Sequence, residues 1–195
     1  MKVIGITGGI ATGKSEVTKI LRKLNIPVFD ADTAVHTLYQ NGIAAKFLKN
    51  ICPEVVIGDK VDRSKLSELI SKRPNLLIKI EDIIHPLVRD AEKNFLIEIA
   101  KTPAKIAVID SPLLIETGHH KDMDFSILIA ASKANQIRRA MMRPNMTKEK
   151  LELILVKQMA AEEKRKFVDL VIENDATLGQ LEDQVRTIFS KLMEP

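Results

Sequence analysis

The fold is decided by the stretch Gly8-Gly9-Ile10-Ala11-Thr12-Gly13-Lys14-Ser15, which fits the pattern G-x-x-x-x-G-K-[ST]. Before it, Val3 to Thr7 is almost continuously apolar, as strands buried on both faces of a parallel sheet are. After it, apolar residues recur at helical spacing, namely Val17, Ile20, Leu21 and Leu24. A strand, a glycine-rich loop and a helix in this order predict an open α/β sheet whose first loop binds phosphate.

The chemistry of this loop indicates a nucleoside triphosphate. Glycines let successive backbone N–H groups turn inward around phosphate oxygens, and the helix N-terminus adds a favourable dipole. Lys14 supplies a point charge between the β and γ phosphates, and the Ser15 hydroxyl is a ligand for Mg²⁺. We therefore predict binding of ATP and Mg²⁺, with nucleotide contacts from Gly8, Gly9, Ile10, Ala11, Thr12, Gly13, Lys14 and Ser15.

Further apolar runs extend the sheet. They are predicted as buried strands at Pro27 to Asp30, Ile106 to Asp110, Ser126 to Ala130 and Leu170 to Asn174. Together with the first run they predict a P-loop NTPase fold of the α/β class, with three layers and a parallel five-stranded sheet.

Two segments interrupt this core, so we predict a single domain with two insertions. The core covers about 1–32, 103–135 and 167–195. A polar, helical stretch at about 33–102, punctuated by Pro53, Gly58, Pro74 and Pro86, is predicted to be a helical subdomain that binds the acceptor. A charged stretch at about 136–166, with a break at 143–145 between two helices, is typical of a mobile lid over phosphates.

The amino-acid composition indicates which classes of molecule the protein can bind. A single cysteine rules out an intrachain disulfide, and a net charge of +4 favours anionic ligands. One Tyr, six Phe and no Trp leave little surface for stacking bases, which argues against nucleic acid. No apolar stretch is long enough for a membrane helix, and the chain begins with a strand pattern rather than a signal peptide. We therefore expect a cytoplasmic enzyme without a membrane or nucleic-acid partner.

The second strand ends in Phe29-Asp30-Ala31-Asp32, which places two carboxylates at the carboxyl end of a core strand. Ligands bind at this edge of open α/β sheets. A carboxylate there can accept a hydroxyl proton while the oxygen attacks the γ-phosphate, so phosphoryl transfer to an alcohol is the natural reaction. Because Asp after a strand also caps helices, we expect one of the pair to cap and the other to catalyse.

Other charged residues have two interpretations each. Asp110 ends a predicted strand and is either a Mg²⁺-binding carboxylate or a helix cap. Arg63 either binds substrate phosphate or pairs on the surface with Asp59 or Asp62.

A basic cluster lies in the predicted lid. Arg139 and Arg143 are four residues apart, a spacing that on a helix directs both side chains to one side. Opposite a triphosphate they would stabilise transition-state charge, although such clusters are usually solvated helix faces. The pair His119-His120, followed by Asp122 and Asp124, is interpreted as a solvated loop rather than a metal site.

The motif alone does not choose among phosphate-handling proteins. A guanine-reading Asn-Lys-x-Asp segment is absent from the sequence, so a GTPase is disfavoured. A nucleoside or nucleotide monophosphate kinase and a non-catalytic ATP- or nucleic-acid-binding regulator remain as alternatives, and the Asp30-Ala31-Asp32 pair is what a mere binder would not need.

Taken in order along the chain, these pieces resemble the dephospho-coenzyme A kinase family. The Thr7 to Ser15 loop and the Asp30 to Asp32 strand end match its opening. Asp62, Arg63 and Leu66, then His85-Pro86, then Pro112 to Glu116 resemble its later segments. The final matches are Arg139, Arg143, Gln158, Asp169 and the Val171-Ile172-x-Asn174 run.

The resemblance implies transfer of the ATP γ-phosphate to the ribose 3′-hydroxyl of dephospho-coenzyme A, the last step of coenzyme A synthesis. It implies that Asp32 is the general base, that Arg139 is the lid cation reaching the phosphates, and that Asn174 contacts the ATP base. Arg63 and His85 become candidate contacts to the acceptor.

The sequence departs from the family pattern at four positions. Ala11-Thr12 stands where the family has Gly-Ser, Lys60 where it often has glycine, and Asp175 where glycine usually follows Asn174. A methyl group at position 11 lies where glycine normally permits a positive φ, which leads us to expect either a slightly altered loop or a weaker affinity for ATP.

Overall fold

A computed structural model describes residues 1–144 and 146–194. The strands are β1 (Lys2–Gly8), β2 (Val28–Asp30), β3 (Val56–Ile57), β4 (Lys60–Val61), β5 (Ile106–Asp110), β6 (Phe125–Ala130) and β7 (Leu170–Glu173). The α-helices are α1 (Lys14–Lys23), α2 (Ala31–Gln40), α3 (Ile43–Leu48), α4 (Arg63–Lys72), α5 (Leu76–Ala100), α6 (Lys133–Met141), α7 (Lys148–Lys157), α8 (Ala161–Lys164) and α9 (Leu178–Leu192).

The main sheet has the strand order β2-β5-β1-β6-β7. β1 runs parallel to both neighbours, with Ile4 opposite Val108 on one side and Phe125 on the other. β6 pairs parallel with β7 in turn. All the predicted strands are present within a residue or two of the predicted bounds, and the α/β fold class with its parallel five-stranded sheet is confirmed.

The chain divides into two compact units, Met1–Phe29 with Ile99–Pro195 and Asp30–Glu98. The first unit has a core of apolar side chains from the sheet, α1 and α9, including Ile6, Val17 and Phe189. Strand β5 is buried at every residue. Because both faces of such a strand are covered, its sequence is continuously apolar rather than alternating.

The second unit has its own core, in which Leu48, Cys52 and Ile84 are buried. It contains a short antiparallel hairpin, β3 with β4, that the helical interpretation of this region did not predict. Strands of two residues are too short to show a periodicity of two. Gly58, at a φ of 60°, lies in the turn between them.

Pro86 does not end a helix, contrary to its interpretation as a punctuation point, because α5 continues through it from Leu76 to Ala100. Proline removes one N–H and hence one i→i−4 hydrogen bond. In a 25-residue helix the remaining hydrogen bonds keep the helix continuous, and it has buried residues on both sides of the proline, Ile80 and Ile84 before it and Glu92 after it.

The predicted break in the charged segment falls between α6, which ends at Met141, and α7, which begins at Lys148. Asn145, part of that prediction, lies outside the described residues. Arg143 lies beyond the end of α6, so the predicted helical pairing of Arg139 with Arg143 is wrong. A small apolar cluster joins Ala140 and Leu151 of these helices to Ile10 and Ala11 of the glycine-rich loop.

Across 1–144 and 146–194, no helix is both long enough and apolar enough to cross a membrane.

Candidate active site

The glycine-rich loop joins the end of β1 to the start of α1. Gly13 has a φ of 100° and a backbone so close to the Asn174 side chain that a Cβ there would overlap the Asn174 amide nitrogen. Ala11 has a φ of 58°, so the alanine adopts the positive φ that glycine normally permits at this position. Within the described chain, the N–H groups of Ala11, Gly13, Lys14 and Ser15 have no hydrogen-bond partner, as a phosphate cradle requires.

Lys14 and Asp110 meet at the ends of adjacent strands. Asp110 lies opposite Ile6 in register, so β5 delivers its carboxylate beside the loop that follows β1. The Lys14 Nζ lies 2.5 Å from Asp110 Oδ1, and Thr18 Oγ1 donates to Asp110 Oδ2 at 2.6 Å. Asp110 is only 2% exposed, so this is a buried anion with a cation and a hydroxyl as partners.

A Mg²⁺ ion would suit this donor set. Among the described residues, no group of three or more His, Cys, Asp or Glu side chains is placed to hold a metal by itself. Mg²⁺ in phosphotransferases takes one or two protein oxygens and completes its shell with phosphates and water. The exposed Ser15 hydroxyl and the Asp110 carboxylate are the hard oxygen donors beside the phosphate cradle that could hold it.

Gln158 holds the start of the loop from the segment after α7. Its Oε1 accepts a hydrogen bond from the Ile10 N–H at 3.0 Å. Both Gln158 and Gly9 line a cavity of about 530 Å³. The Ile10 amide, predicted as a nucleotide contact, is therefore bonded to a side chain of the protein.

A buried ion pair anchors the same segment. Lys164 is 1% exposed and its Nζ contacts Glu116 Oε1 at 2.9 Å, Pro112 O at 2.8 Å and Thr7 Oγ1 at 3.4 Å. Glu116 Oε1 also accepts from the Met159 N–H at 3.0 Å. Burial lowers the pKa of Lys164, while the bond to Glu116 opposes that shift. This pair fixes the chain beside Gln158 to the ends of β1 and β5.

Asn174 and Arg139 form a second anchor. The buried Asn174 side chain donates to the carbonyl of Thr12 at 2.8 Å. Arg139 donates through one guanidinium nitrogen to the Asn174 carbonyl at 2.8 Å, and its buried Nη1 has no partner in the described part of the chain. Arg139 thus has a donor without a partner among the described residues, whereas the Asn174 amide nitrogen is bonded to the loop.

Asp175, one of the departures from the family pattern, has a structural explanation. Its Oδ1 accepts from the Ser132 N–H at 2.9 Å, from the Ser132 hydroxyl at 2.8 Å and from the Asn135 side chain at 2.7 Å. These hydrogen bonds, that of Asn135 first, lower the pKa of Asp175. The carboxylate therefore ties the end of β7 to the start of α6.

The two carboxylates of the second strand end have separate positions. Asp30 caps α2, accepting from the Thr33 N–H at 2.9 Å. Asp32 is exposed on the first turn of α2. The expectation that one of them caps a helix is met by Asp30, and Asp32 stays the predicted base.

The remaining acceptor candidates lie in the second unit. Arg63, exposed at the start of α4, has its Nη1 3.2 Å from His36 Nδ1. Asp62 caps α4 by accepting from the N–H groups of Ser64 and Lys65, so Arg63 has a histidine neighbour rather than the predicted aspartate. His85 is exposed on α5.

The histidine pair after β5 is not a fully solvated loop. His119 is 6% exposed and lies 3.0 Å, Nδ1 to Oδ2, from Asp122. Asp124 accepts from the Val3 N–H at 2.7 Å near the start of β1, the central strand of the sheet. The interpretation as a wholly exposed loop was therefore wrong for His119.

Comparison with known proteins settles the family. The family model described as dephospho-CoA kinase matches residues 2–180. A dephospho-CoA kinase from Rhodopseudomonas palustris is 38% identical over 189 residues, which cover 97% of this chain and 94% of the relative. The chain belongs to the dephospho-CoA kinase family. Another member, from Bartonella henselae, is 38% identical over 194 residues and matches over 100% of both chains.

The family and enzyme class inferred from sequence motifs are thus confirmed: the chain is a kinase, and dephospho-CoA kinases catalyse the last step of coenzyme A biosynthesis. A crystal structure from Thermus thermophilus superposes with a TM-score of 0.82 at 33% identity, covering 98% of this chain and 97% of the other. Shikimate kinase from Bacteroides thetaiotaomicron, at 18% identity, shares the fold with a TM-score of 0.57, covering 99% of both chains.

Some site residues were not predicted. Lys164 was overlooked because a lysine in a charged stretch is normally exposed. Ser132 and Asn135 have no motif, and only the tertiary structure brings Asp175 to them. The chain order Glu-Glu-Lys within a helix gave no signal that the third residue faces a core.

Proposed function

We propose that this dephospho-CoA kinase family member transfers the γ-phosphate of ATP to the ribose 3′-hydroxyl of dephospho-coenzyme A. The observation that carries the proposal is the phosphate cradle, in which backbone donors at the start of α1 have no partner among the described residues and Lys14 lies beside the buried Asp110. A family match over residues 2–180 supports the acceptor. A cytoplasmic location stays a prediction.

The nucleotide half of the reaction is assigned to the first unit. The loop amides and the α1 N-terminus bind the α and β phosphates, and Lys14 balances charge between β and γ. Arg139 supplies its Nη1, which has no partner in the described part of the chain, to an oxygen of the nucleotide. Ser15 and Asp110 hold Mg²⁺, which when bound neutralises charge on the phosphoryl oxygens.

The acceptor half is assigned to residues of the second unit. Arg63 offers a planar guanidinium, suited to bidentate phosphate binding, and dephospho-coenzyme A carries a pyrophosphate. His85 is a further candidate contact. Asp30 takes the helix-capping role, and Asp32 has no hydrogen bond or ion pair to the residues that the structure describes. Its oxygen accepts the proton of the 3′-hydroxyl as that oxygen bonds to the γ-phosphorus, and the bond from this phosphorus to the leaving ADP breaks.

The first test measures coenzyme A formation from ATP and dephospho-coenzyme A with the wild type and with Asp32→Asn. A catalysed proton transfer contributes about 10²- to 10⁴-fold, so the variant should lose that much of kcat while binding ATP normally. Thr33→Ala, at the neighbouring exposed position of α2, is the matched control and should keep near wild-type rate.

Either half of the proposal can fail separately. A folded, ATP-binding wild type that forms no coenzyme A would overturn the acceptor, and other alcohols and nucleoside monophosphates would then be screened. A wild type that turns over with Asp32→Asn unimpaired would leave the acceptor standing and remove Asp32 from the base role.

A further inference from the structure

Gln158 presents an oriented hydrogen-bond donor beside the phosphate-binding loop. Its Oε1 accepts from the Ile10 N–H at 3.0 Å. Because a backbone N–H can only donate, the atom facing it must be the amide oxygen, and this fixes which end of the Gln158 amide is nitrogen. The Nε2 of Gln158 has no acceptor within residues 1–144 and 146–194.

The surroundings of that donor distinguish it from a second glutamine nearby. Gln136 and Gln158 both line the 530 Å³ cavity that also borders Gly9 and Thr12. The Nε2 of Gln136 donates one of its two hydrogens to the Ala131 carbonyl at 2.7 Å and is held in place by that bond. Of these two side chains, Gln158 is the one whose Nε2 has no acceptor for either hydrogen among the described residues.

The position of Gln158 is fixed by the residue that follows it and by its own side chain. The next residue, Met159, donates its N–H to Glu116 at 3.0 Å, and Glu116 is paired with the buried Lys164. The side chain itself is bonded to the loop. A donor fixed in this way loses little conformational entropy when a ligand binds, which is the condition for strong electrostatic recognition.

The order of the residues along the loop indicates which phosphate the Gln158 donor would face, namely the outermost one. Amides at the N-terminus of α1 and Lys14 serve the inner phosphates and the β–γ junction. Ile10 and Gly9 come earlier, at the strand end of the loop. A donor beside Gly9 and Ile10 is therefore in the place to bind the terminal phosphate.

We propose that Gln158 binds the terminal phosphate of the nucleoside triphosphate: its Oε1 keeps the Ile10 N–H while its Nε2 donates to a γ-phosphate oxygen. This rests on the proposed function and deepens it, because Gln158 then makes the loop distinguish ATP from ADP. The segment that follows α7 would then contact the phosphate that is transferred.

The test uses Gln158→Glu in the full-length protein. The carboxylate keeps an oxygen on the Ile10 N–H but places an anionic oxygen where Nε2 was, facing the phosphate. Calorimetric titration with Mg²⁺ and either ADP or the β,γ-methylene analogue of ATP gives the two affinities. We expect affinity for the analogue to fall at least about 10-fold while that for ADP changes less than about 2-fold, since a charge-assisted bond is replaced by repulsion.

Gln184→Glu, the same change on the exposed face of α9, is the control and should leave both affinities unaltered. Equal losses for the analogue and ADP in Gln158→Glu would overturn the proposal, as would an unchanged ratio. If Gln158→Glu does not fold, Gln158→Met, which removes both polar atoms at similar length, must also weaken the analogue more than ADP. The titrations contain no acceptor, so their outcome is independent of whether wild type converts dephospho-coenzyme A.

Discussion

Ala11 adopts a left-handed backbone conformation that glycine would take without strain. For a residue with a Cβ this conformation costs about 1–2 kcal/mol. The methyl group is buried in a cluster with Ala140 and Leu151, and burying one such group contributes about 0.8 kcal/mol. Packing thus offsets much of the strain at this departure from the family pattern.

Lys164 is the residue whose role depends most on tertiary context. Its ammonium group has three hydrogens, and the three acceptors around it are Glu116, Pro112 O and Thr7. A buried charge is tolerated only when it is paired and fully hydrogen-bonded. Glu116 Oε2, by contrast, is buried without a partner among the described residues.

Replacing Lys164 with Met should lower the free energy of unfolding by about 3–5 kcal/mol, because Glu116 is left as a buried charge without its cation. Urea denaturation of the variant gives the value. The double variant Lys164→Met with Glu116→Gln should recover part of the loss, since the unpaired charge is gone. Additive losses in that cycle would contradict the pairing.

At the scale of elements, the start of α6 depends on the loop after β7. Ser132 caps α6, and Asp175 binds both the N–H and the hydroxyl of Ser132. Hence the helix that carries Arg139 is tethered by a carboxylate that the family pattern does not contain. The tether fixes α6 relative to β7 within the first unit.

The Asp175 tether should make stability depend on pH. Its pKa is lowered in the folded protein, so the bonds contribute stability above the ordinary pKa of about 3.8, and that stability is lost as pH falls through the lower folded value. We expect Asp175→Asn to be less stable than wild type near neutrality. Thermal unfolding of both proteins should converge as pH falls below that value, and a constant difference down to acid pH would contradict the assignment.

At the scale of the whole molecule, binding of a nucleotide to the phosphate cradle should stabilise the folded state against unfolding. A ligand at 100 times its Kd adds about 2.7 kcal/mol to the free energy of unfolding if it binds the folded state only. For a domain of this size that amounts to about 5–10 °C in Tm. Scanning calorimetry with ATP and Mg²⁺ should show this shift in wild type and in Asp32→Asn.

Lys14→Met is the contrasting variant for that measurement. It removes the cation at the β–γ junction and should abolish most of the ATP-induced shift. Its own Tm reports separately on Asp110, which loses its cation. An undiminished shift would remove Lys14 from the nucleotide site.

The sequence by itself determined the sheet, the loop and the family. The strands are predictable because burial on both faces requires continuous apolar runs, and the loop because Gly13, Lys14 and Ser15 have few chemical substitutes there. The same local rules identified Asp30 or Asp32 as a helix cap.

Only the tertiary structure decided which polar groups are partners. Lys164 with Glu116, Gln158 with Ile10 and Asp175 with Ser132 join residues more than forty positions apart. Such pairs produce no periodic pattern in the sequence. Each forms only because the fold brings together two strand ends, or a loop and the start of a helix. The hairpin β3–β4 and the passage of α5 through Pro86 also came from packing, which overrides local propensity.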